Sequence, residues 1–489
     1  MARFNPKKVE QTKVINRAGG QAYKQSDKLE VVSMLLTNMV QDQYYRRSAE
    51  AVQRMAELVQ GLPDKKFLAK AGIFARTKYG MRSITHVLAG ELVNKVKGQE
   101  WMKNFLERVI YRPDDMTEIL SYYMSTYGKP IPNSLKKGLS LAFKKFNEYN
   151  IAKYRGEGKA MKMVDLINLI TGSKHKKGFC HPQGNEIAFK LLTGQLKPAD
   201  TWEVGLTKAG QVAEDDEQKV ELKNAAWKSL IDSNKLGYFA LLRNLRNIKE
   251  QAPDSLDKAL EMLVDEKAIK KSLVFPFRFL TAYDEIKNDR KIVAALDKAA
   301  DIALNNVPEF QGKTLIVLDE SGSMTSAACG NTTAHRIGAL FASVLWKRNP
   351  NSDLLTFANS ARYISDERLA ILPTMEISRT LEKKMKGGGT DFHSIFKVAN
   401  KSYDRVIILS DMQGWIGYDS PKESFDYYCK RFNCKPLIYS FDLAGYGDMQ
   451  FPEQNVFCLA GFSDKVFQVM KMLETDKNAL IKEIEKVEL

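Results

Sequence analysis

A chain of 489 residues, 44% hydrophobic and 27% charged, has the composition of a folded soluble protein and the length of roughly two to three domains, which excludes a collagen-like, low-complexity or wholly disordered chain. No apolar run approaches the ~18 residues of a membrane span, the opening MARFNPKKVEQTK lacks the apolar core of a secretion signal, and the five cysteines (Cys180, Cys329, Cys429, Cys434, Cys458) are never spaced CxxC; the expectation is a cytoplasmic protein with reduced thiols and no membrane partner. The net charge of +15 is unevenly placed, with 35 Lys and Arg against 18 Asp and Glu in residues 1–200 and 39 against 41 in the rest, so one part is expected to meet a polyanion, nucleic acid foremost, unless the lysines form only a solvated surface.

From about residue 28 to residue 300 helical periods follow one another, broken at Gly61-Leu62-Pro63-Asp64, at Arg112-Pro113-Asp114-Asp115 and at Ala252-Pro253-Asp254. The clearest predicted helix runs from Ser134 to Tyr154. Leu135, Leu139, Ala142, Phe143, Phe146 and Tyr149 form its apolar stripe, and Lys136, Lys137, Lys144 and Lys145 lie opposite. Paired helices without an exact sequence period imply a degenerate α-repeat solenoid.

Near residue 307 the texture changes. Short apolar runs at Thr314 to Leu318, Asp353 to Phe357, Arg405 to Leu409, Pro436 to Phe441 and Val456 to Leu459 predict strands of a doubly wound, mostly parallel sheet. Helices are predicted between them at His335 to Lys347, Phe392 to Ala399 and Lys422 to Arg431, with another at Ser463 to Leu473. The expected division is an all-α part, 1–300, and an α/β part, 310–489, hinged at Val307 to Lys313.

In such a sheet ligands sit at the carboxyl ends of the strands. There the sequence offers Asp319-Glu320-Ser321-Gly322-Ser323, then Gly387-Gly388-Gly389-Thr390-Asp391, then Ser410-Asp411. Asp319, Ser321, Ser323, Thr390 and Asp411 are hard oxygen donors of the kind a divalent cation takes, Mg²⁺ in the first place and Mn²⁺ as the alternative. The pattern resembles the metal-ion-dependent adhesion site of von Willebrand factor A (vWA) domains, all five positions being filled. That resemblance implies an open coordination position for a partner's carboxylate or another anion. A dehalogenase-type phosphatase needs a carboxylate where Ser321 stands, and a serine-hydrolase elbow needs a glycine two residues on either side of the nucleophile, which neither Ser321 nor Ser323 has, so the loop is read as non-catalytic.

The densest cationic stretch lies between residues 151 and 180, with Lys153, Arg155, Lys159, Lys162, Lys174, Lys176 and Lys177, and with Tyr154 and His175 available to stack on bases. Tyr149 is expected in the core. A second concentration holds Arg76, Lys78, Arg82 and His86 around one helix boundary; it is read either as an RNA contact for a single-stranded end or as a corner that locks two helices together. Arg243-Asn244-Leu245-Arg246-Asn247 is read as structural.

Several strings, Ala75-Arg76 with Met81-Arg82-Ser83, Asn150-Ile151-Ala152-Lys153-Tyr154 with Asp165-Leu166, Leu192-Thr193-Gly194 with Thr201-Trp202-Glu203, Ala240 to Asn247, and Phe275-Pro276-Phe277-Arg278-Phe279, resemble the TROVE module of the Ro ribonucleoprotein family. The resemblance implies a monomeric ring of HEAT-like helix pairs clasped by the vWA domain. It also implies small structured non-coding RNA (Y RNA-like) on the outer face, near Lys153 and Arg155, and 3′ ends of misfolded RNA in the central hole. An exoribonuclease is a partner of some family members. One position departs: Thr171 stands where the family carries a histidine, with His175 four residues later. The leading expectation is therefore a non-enzymatic RNA-binding ring acting in RNA quality control or delivery. A protein-interaction scaffold that grips an acidic partner at the metal site is the alternative, and a metal-dependent nuclease is disfavoured by a site with only two aspartates.

Overall fold

The computed structural model describes residues 13–24, 26–38, 47–171, 185–199, 202–213, 215–234, 236–272, 274, 277–286, 288–329, 332–417, 420–446, 448–451, 456–459, 467, 470–471, 474 and 479–489. The chain divides into two compact units, one made of Met1–Gln53 with Leu304–Ile481 and the other of Arg54–Ala303 with Lys482–Leu489. The expected order, all-α and then α/β, is the one observed, but the chain does not divide by a single cut near residue 305. Residues that precede the helical unit belong to the sheet unit, because the strands Lys13–Ile15 and Gln21–Lys24 form an antiparallel pair and the second of them pairs in turn with Asp448–Met449. A three-residue strand followed by a polar turn gives no apolar alternation, and sequence periodicity could not find it.

The helical unit is a succession of short helices whose ends fall at the expected punctuation. Asp64 caps Lys65–Lys78 by accepting the Phe67 N–H at 3.0 Å, and Pro113 opens Pro113–Tyr127, where its missing N–H costs nothing. The long helix expected from Ser134 to Tyr154 is two helices, Asn133–Phe143 and Glu148–Lys153. Asn147 makes the break, its side chain accepting the Asn150 N–H at 2.9 Å and capping a new helix. The apolar stripe therefore ends at Phe143, and Tyr149, expected in the core, is 43% exposed. The first of the two helices packs closely: a Cβ on Gly138 would lie 2.5 Å from Leu106, so only glycine admits the approach.

The sheet unit carries six strands in the order Val456–Leu459, Leu437–Asp442, Arg405–Ser410, Thr314–Asp319, Ser352–Phe357, Ala361–Tyr363, all parallel except the last. The five expected strands agree within one residue. The antiparallel edge strand and the helices Glu367–Ile371 and Thr374–Lys383 were not anticipated. The helices Ala334–Arg348, His393–Val398 and Lys422–Phe432 are found as expected, and the helix expected at Ser463 to Leu473 falls largely outside the described residues. Leu315, Val317, Val406 and Ile408 bury against Phe392, Phe396, Phe425 and Tyr428, while Leu318 faces Gly338 of the helix Ala334–Arg348. The central strand Thr314–Asp319 has its sequence successor on one side and Arg405–Ser410 on the other, so the strand order reverses beside it. That reversal opens a crevice at the carboxyl ends.

Candidate metal centre and nucleic-acid interface

Asp319 and Asp411 sit at that crevice, both fully buried. Oδ1 of Asp319 accepts the Ser321 N–H at 2.8 Å and Oδ2 accepts the Ser410 hydroxyl at 2.5 Å. Ser321 and Ser323 bring their hydroxyl oxygens within 3.3 Å of each other. Oδ1 of Asp411 accepts the Gln413 N–H at 3.1 Å, whereas its Oδ2 is buried without a hydrogen-bond partner. Backbone hydrogen bonds tie the glycine loop to both neighbours: Gly322 N–H to the Gly388 carbonyl at 2.9 Å, and Trp415 N–H to the Thr390 carbonyl at 3.2 Å. The loops carrying Asp319, Ser321, Ser323, Thr390 and Asp411 thus converge, and each of these side chains is almost wholly buried.

Burial pushes both carboxyls above the ordinary carboxylate range; the Glu320 charge adds to the effect at Asp319, and the Asp319 charge adds to it at Asp411. Two desolvated carboxyls, one with an orphaned oxygen, beside hydroxyl donors are the environment that a hard divalent cation relieves. The residues fit such an ion. Among the described residues no three His, Cys, Asp or Glu side chains gather as metal ligands. The donor set therefore stands on two carboxylates and neutral hydroxyls, which suits binding an ion better than activating water on it. Ser410 and Gln413, which orient the two aspartates, were not singled out from the sequence.

In the helical unit the first basic cluster is a structural corner. Asp115, fully buried, accepts from Arg76 Nη2 at 2.8 Å, Arg82 Nη2 at 3.2 Å, His86 Nε2 at 3.0 Å and the N–H groups of Tyr111 and Arg112 at 2.9 Å each. Burial opposes the charge, yet His86 and Arg76 hold the Asp115 carboxyl well below its usual range. Arg76 and His86 are buried, and Arg82 is committed to Asp114 and Asp115. The expected RNA contacts at Arg76, Arg82 and His86 are therefore corrected to the second reading of that motif, a lock between helices. Lys78 alone of this group is solvent-exposed.

The second cluster divides. Lys145 donates to the carbonyls of Ile110, at 2.7 Å, and Glu107, and partial burial of its amine lowers its pKa; although the residue is exposed, its ammonium is committed to closing the end of the helix Trp101–Val109. Tyr154 is engaged too, its ring lying 4.7 Å below the Arg112 guanidinium. Lys136 is half-buried, while Lys137, Lys144, Lys153 and Lys162 are exposed. Arg155 lies in a cavity of about 490 Å³ lined by Lys153, Tyr154, Glu157 and Lys159, and its Nε and Nη2 are buried without a hydrogen-bond partner. Lys174 and His175 lie outside the described residues, as does the Thr171 side chain.

One constellation escaped sequence reasoning. A cavity of about 860 Å³ is lined by Arg112, Arg243, Arg246 and Arg278, with Phe239 and one acid, Glu285, which pairs with Arg246 at 2.8 Å. The motif Arg243 to Asn247 is thus structural only in part: Asn244 and Leu245 are buried, while Arg243 and Arg246 are exposed toward that cavity. The signal was the helical spacing of Arg243 and Arg246, three apart and on one face.

Comparison with known proteins gives two family matches: the TROVE domain over residues 193–352 and the Ro60 vWA domain over residues 313–473. The chain is similar to telomerase protein component 1 of Rattus norvegicus, 22% identical over 314 residues covering 50% of this chain and 12% of that protein. It is also similar to the RNA-binding protein RO60 of Deinococcus radiodurans, 25% identical over 294 residues covering 53% of each chain. It therefore spans between about a tenth and about half of the length of these curated relatives. Among solved structures, the crystal structure of the Deinococcus radiodurans RO (RSR) protein matches with a TM-score of 0.61 and 16% identity, over 90% of this chain and 99% of that one; this shows a shared fold.

Proposed function

We propose, for a chain that belongs to the Ro family through its TROVE and Ro60 vWA domains, that it is a non-catalytic RNA-binding ring protein with a divalent cation in its vWA domain. The observation that carries the RNA reading is Arg155. A guanidinium with two buried, unpartnered nitrogens costs free energy in the apo protein, and a phosphate oxygen delivered into the cavity between Lys153 and Lys159 relieves it. A small structured non-coding RNA of the Y RNA class supplies such phosphates on an outer surface, with Lys137, Lys144 and Lys162 extending the contact. Single-stranded 3′ ends of misfolded RNA suit the cavity of Arg112, Arg243, Arg246 and Arg278, where Phe239, 40% exposed, offers a stacking face. The cellular role that follows is RNA quality control in the cytoplasm, including delivery to an exoribonuclease.

When bound, Mg²⁺ or Mn²⁺ would be held by Asp319, Ser321, Ser323, Thr390 and Asp411 and would supply a Lewis-acidic position for an anionic partner. Within that site Ser410 and the Ser321 backbone orient Asp319, and Gln413 orients Asp411. A second reading, a scaffold that captures an acidic protein at the ion, rests on the same donor set. Titrating the full-length protein with a stem-loop RNA carrying a single-stranded 3′ tail, across a series of salt concentrations, separates the two. The ring reading expects affinity that falls steeply with salt and intact RNA afterwards; binding indifferent to salt favours the scaffold.

A further inference from the structure

The turn Asn16–Gly20, between the strands Lys13–Ile15 and Gln21–Lys24, lies against the segment that follows Asp411, within the same compact unit. Asn16 is buried. Its Oδ1 accepts the N–H groups of Ala18 and Gly20 at 3.0 and 2.9 Å, which shapes the turn, while its Nδ2 donates outward to the Gly414 carbonyl at 2.5 Å. The next residue adds a second tie, the Arg17 N–H donating to Gln413 Oε1 at 2.8 Å. Gln413 is fully buried and spans the remaining distance: its own N–H donates to Asp411 Oδ1 at 3.1 Å and its Nε2 to the Asp411 carbonyl at 3.3 Å.

The fit of the turn is close. A Cβ on Gly20 would stand 2.0 Å from the Gly414 oxygen and 2.7 Å from Trp415 Cα, both backbone atoms, so no other residue fits without displacing that strand of chain. The gripped segment needs support of its own, since Met412 holds a left-handed φ of 60° without being glycine. At its far end Trp415 donates to the Thr390 carbonyl at 3.2 Å. The turn thus holds a stretch that begins at one candidate ligand of the cation, Asp411, and ends on the backbone of another, Thr390.

We infer that the N-terminal turn is an integral part of the cation site, with Asn16, Gly20 and Gln413 as positioning residues that set the loop Asp411–Trp415 for ion binding. This rests on the reading of Asp319, Ser321, Ser323, Thr390 and Asp411 as a divalent-cation site. The chain arrives at that site from the opposite end of the sequence, 398 positions away from Gly414. Outer contacts orient the groups that ligate a metal, and removing one weakens metal affinity by roughly 10- to 100-fold.

The test uses the full-length protein, Mn²⁺ alone as the probe, and amide hydrogen exchange as a second readout. Asn16→Asp keeps the acceptor that shapes the turn and removes the donor to Gly414; Gly20→Ala pushes the turn off the loop; Ile15→Ser, at a position 68% exposed, is the control. The expected result is Mn²⁺ affinity about tenfold or more weaker in Asn16→Asp and Gly20→Ala and unchanged in Ile15→Ser. Exchange should quicken in residues 411–416 while the strand Arg405–Ser410 stays protected. Unchanged affinity in both variants overturns the inference, and loss of protection in Arg405–Ser410 overturns it in favour of a general prop for the unit. A parent protein that takes up no Mn²⁺ overturns the cation reading and this inference with it.

Discussion

Arg76 and Asp115, 39 positions apart in the chain, meet at 2.8 Å with both side chains buried, and Arg82 and His86 close on the same carboxylate. Asp115 is therefore the acid shared by a corner where three helices come together, with Asp114 as a second partner for Arg82. Removing it leaves Arg76 charged and desolvated with no carboxylate, the costly way to break a buried pair. Asp115→Ala should lower stability by about 3–5 kcal/mol in denaturant unfolding. Asp115→Asn, which keeps acceptor geometry on one oxygen, should cost less. A loss below about 1 kcal/mol in Asp115→Ala would mean the corner is solvated in solution.

The cations at the Arg155 cavity behave differently. Lys153→Ala with Arg155→Ala should weaken RNA binding and lower the slope of log K against log salt by about 0.7 to 0.9 for each phosphate that the variant no longer neutralises. Lys145→Ala, by contrast, removes a donor to the carbonyls of Ile110 and Glu107; it should reduce thermal stability and leave the salt slope alone. Equal slopes in parent and double variant would remove Lys153 and Arg155 from the interface.

These contrasts mark what the sequence could disclose. Strands such as Thr314–Asp319 and Arg405–Ser410 were legible because they are buried on both faces and read as continuous apolar runs. The oxygen donors were legible because strand ends and loops fix their order. What a cation does on a helical surface was not legible: Arg76 and Arg82 face an acid 39 and 33 positions away, and linear charge density carries no record of that pairing. The same blindness hid the gathering of Arg112 with Arg243, Arg246 and Arg278, which lie 131 or more positions beyond it in the chain and meet it only through packing.

At the metal centre, Asp319→Ala should weaken Mn²⁺ uptake measured by calorimetry by more than about tenfold, because it removes one of the two carboxylates and leaves Asp411 with neutral hydroxyls, which compete poorly with water for a hard cation. Ser410→Ala should weaken it about tenfold, through loss of the 2.5 Å hydrogen bond that orients Asp319. RNA affinity should stay within about threefold of the parent in both, a difference of about 0.7 kcal/mol. A collapse of RNA binding in a folded Asp319→Ala protein would instead couple the two sites.

His335 supplies a pH signature for the sheet unit. It lies on the helix Ala334–Arg348, 1% exposed, with Nε2 lacking a hydrogen-bond partner, and burial pushes its imidazole down to about 4 from the ordinary 6.5. The folded state thus holds a neutral ring where the unfolded chain takes up a proton. The associated stability is fully present above pH 6.5 and is lost as pH falls from there toward 4; in total it is on the order of 3 kcal/mol. His335→Leu places an aliphatic side chain at the same buried position without a titrating group. The denaturant midpoint of the parent should therefore drop between about pH 7 and about pH 4.5 more steeply than that of His335→Leu, and parallel curves would show that the imidazole finds a partner or water in solution.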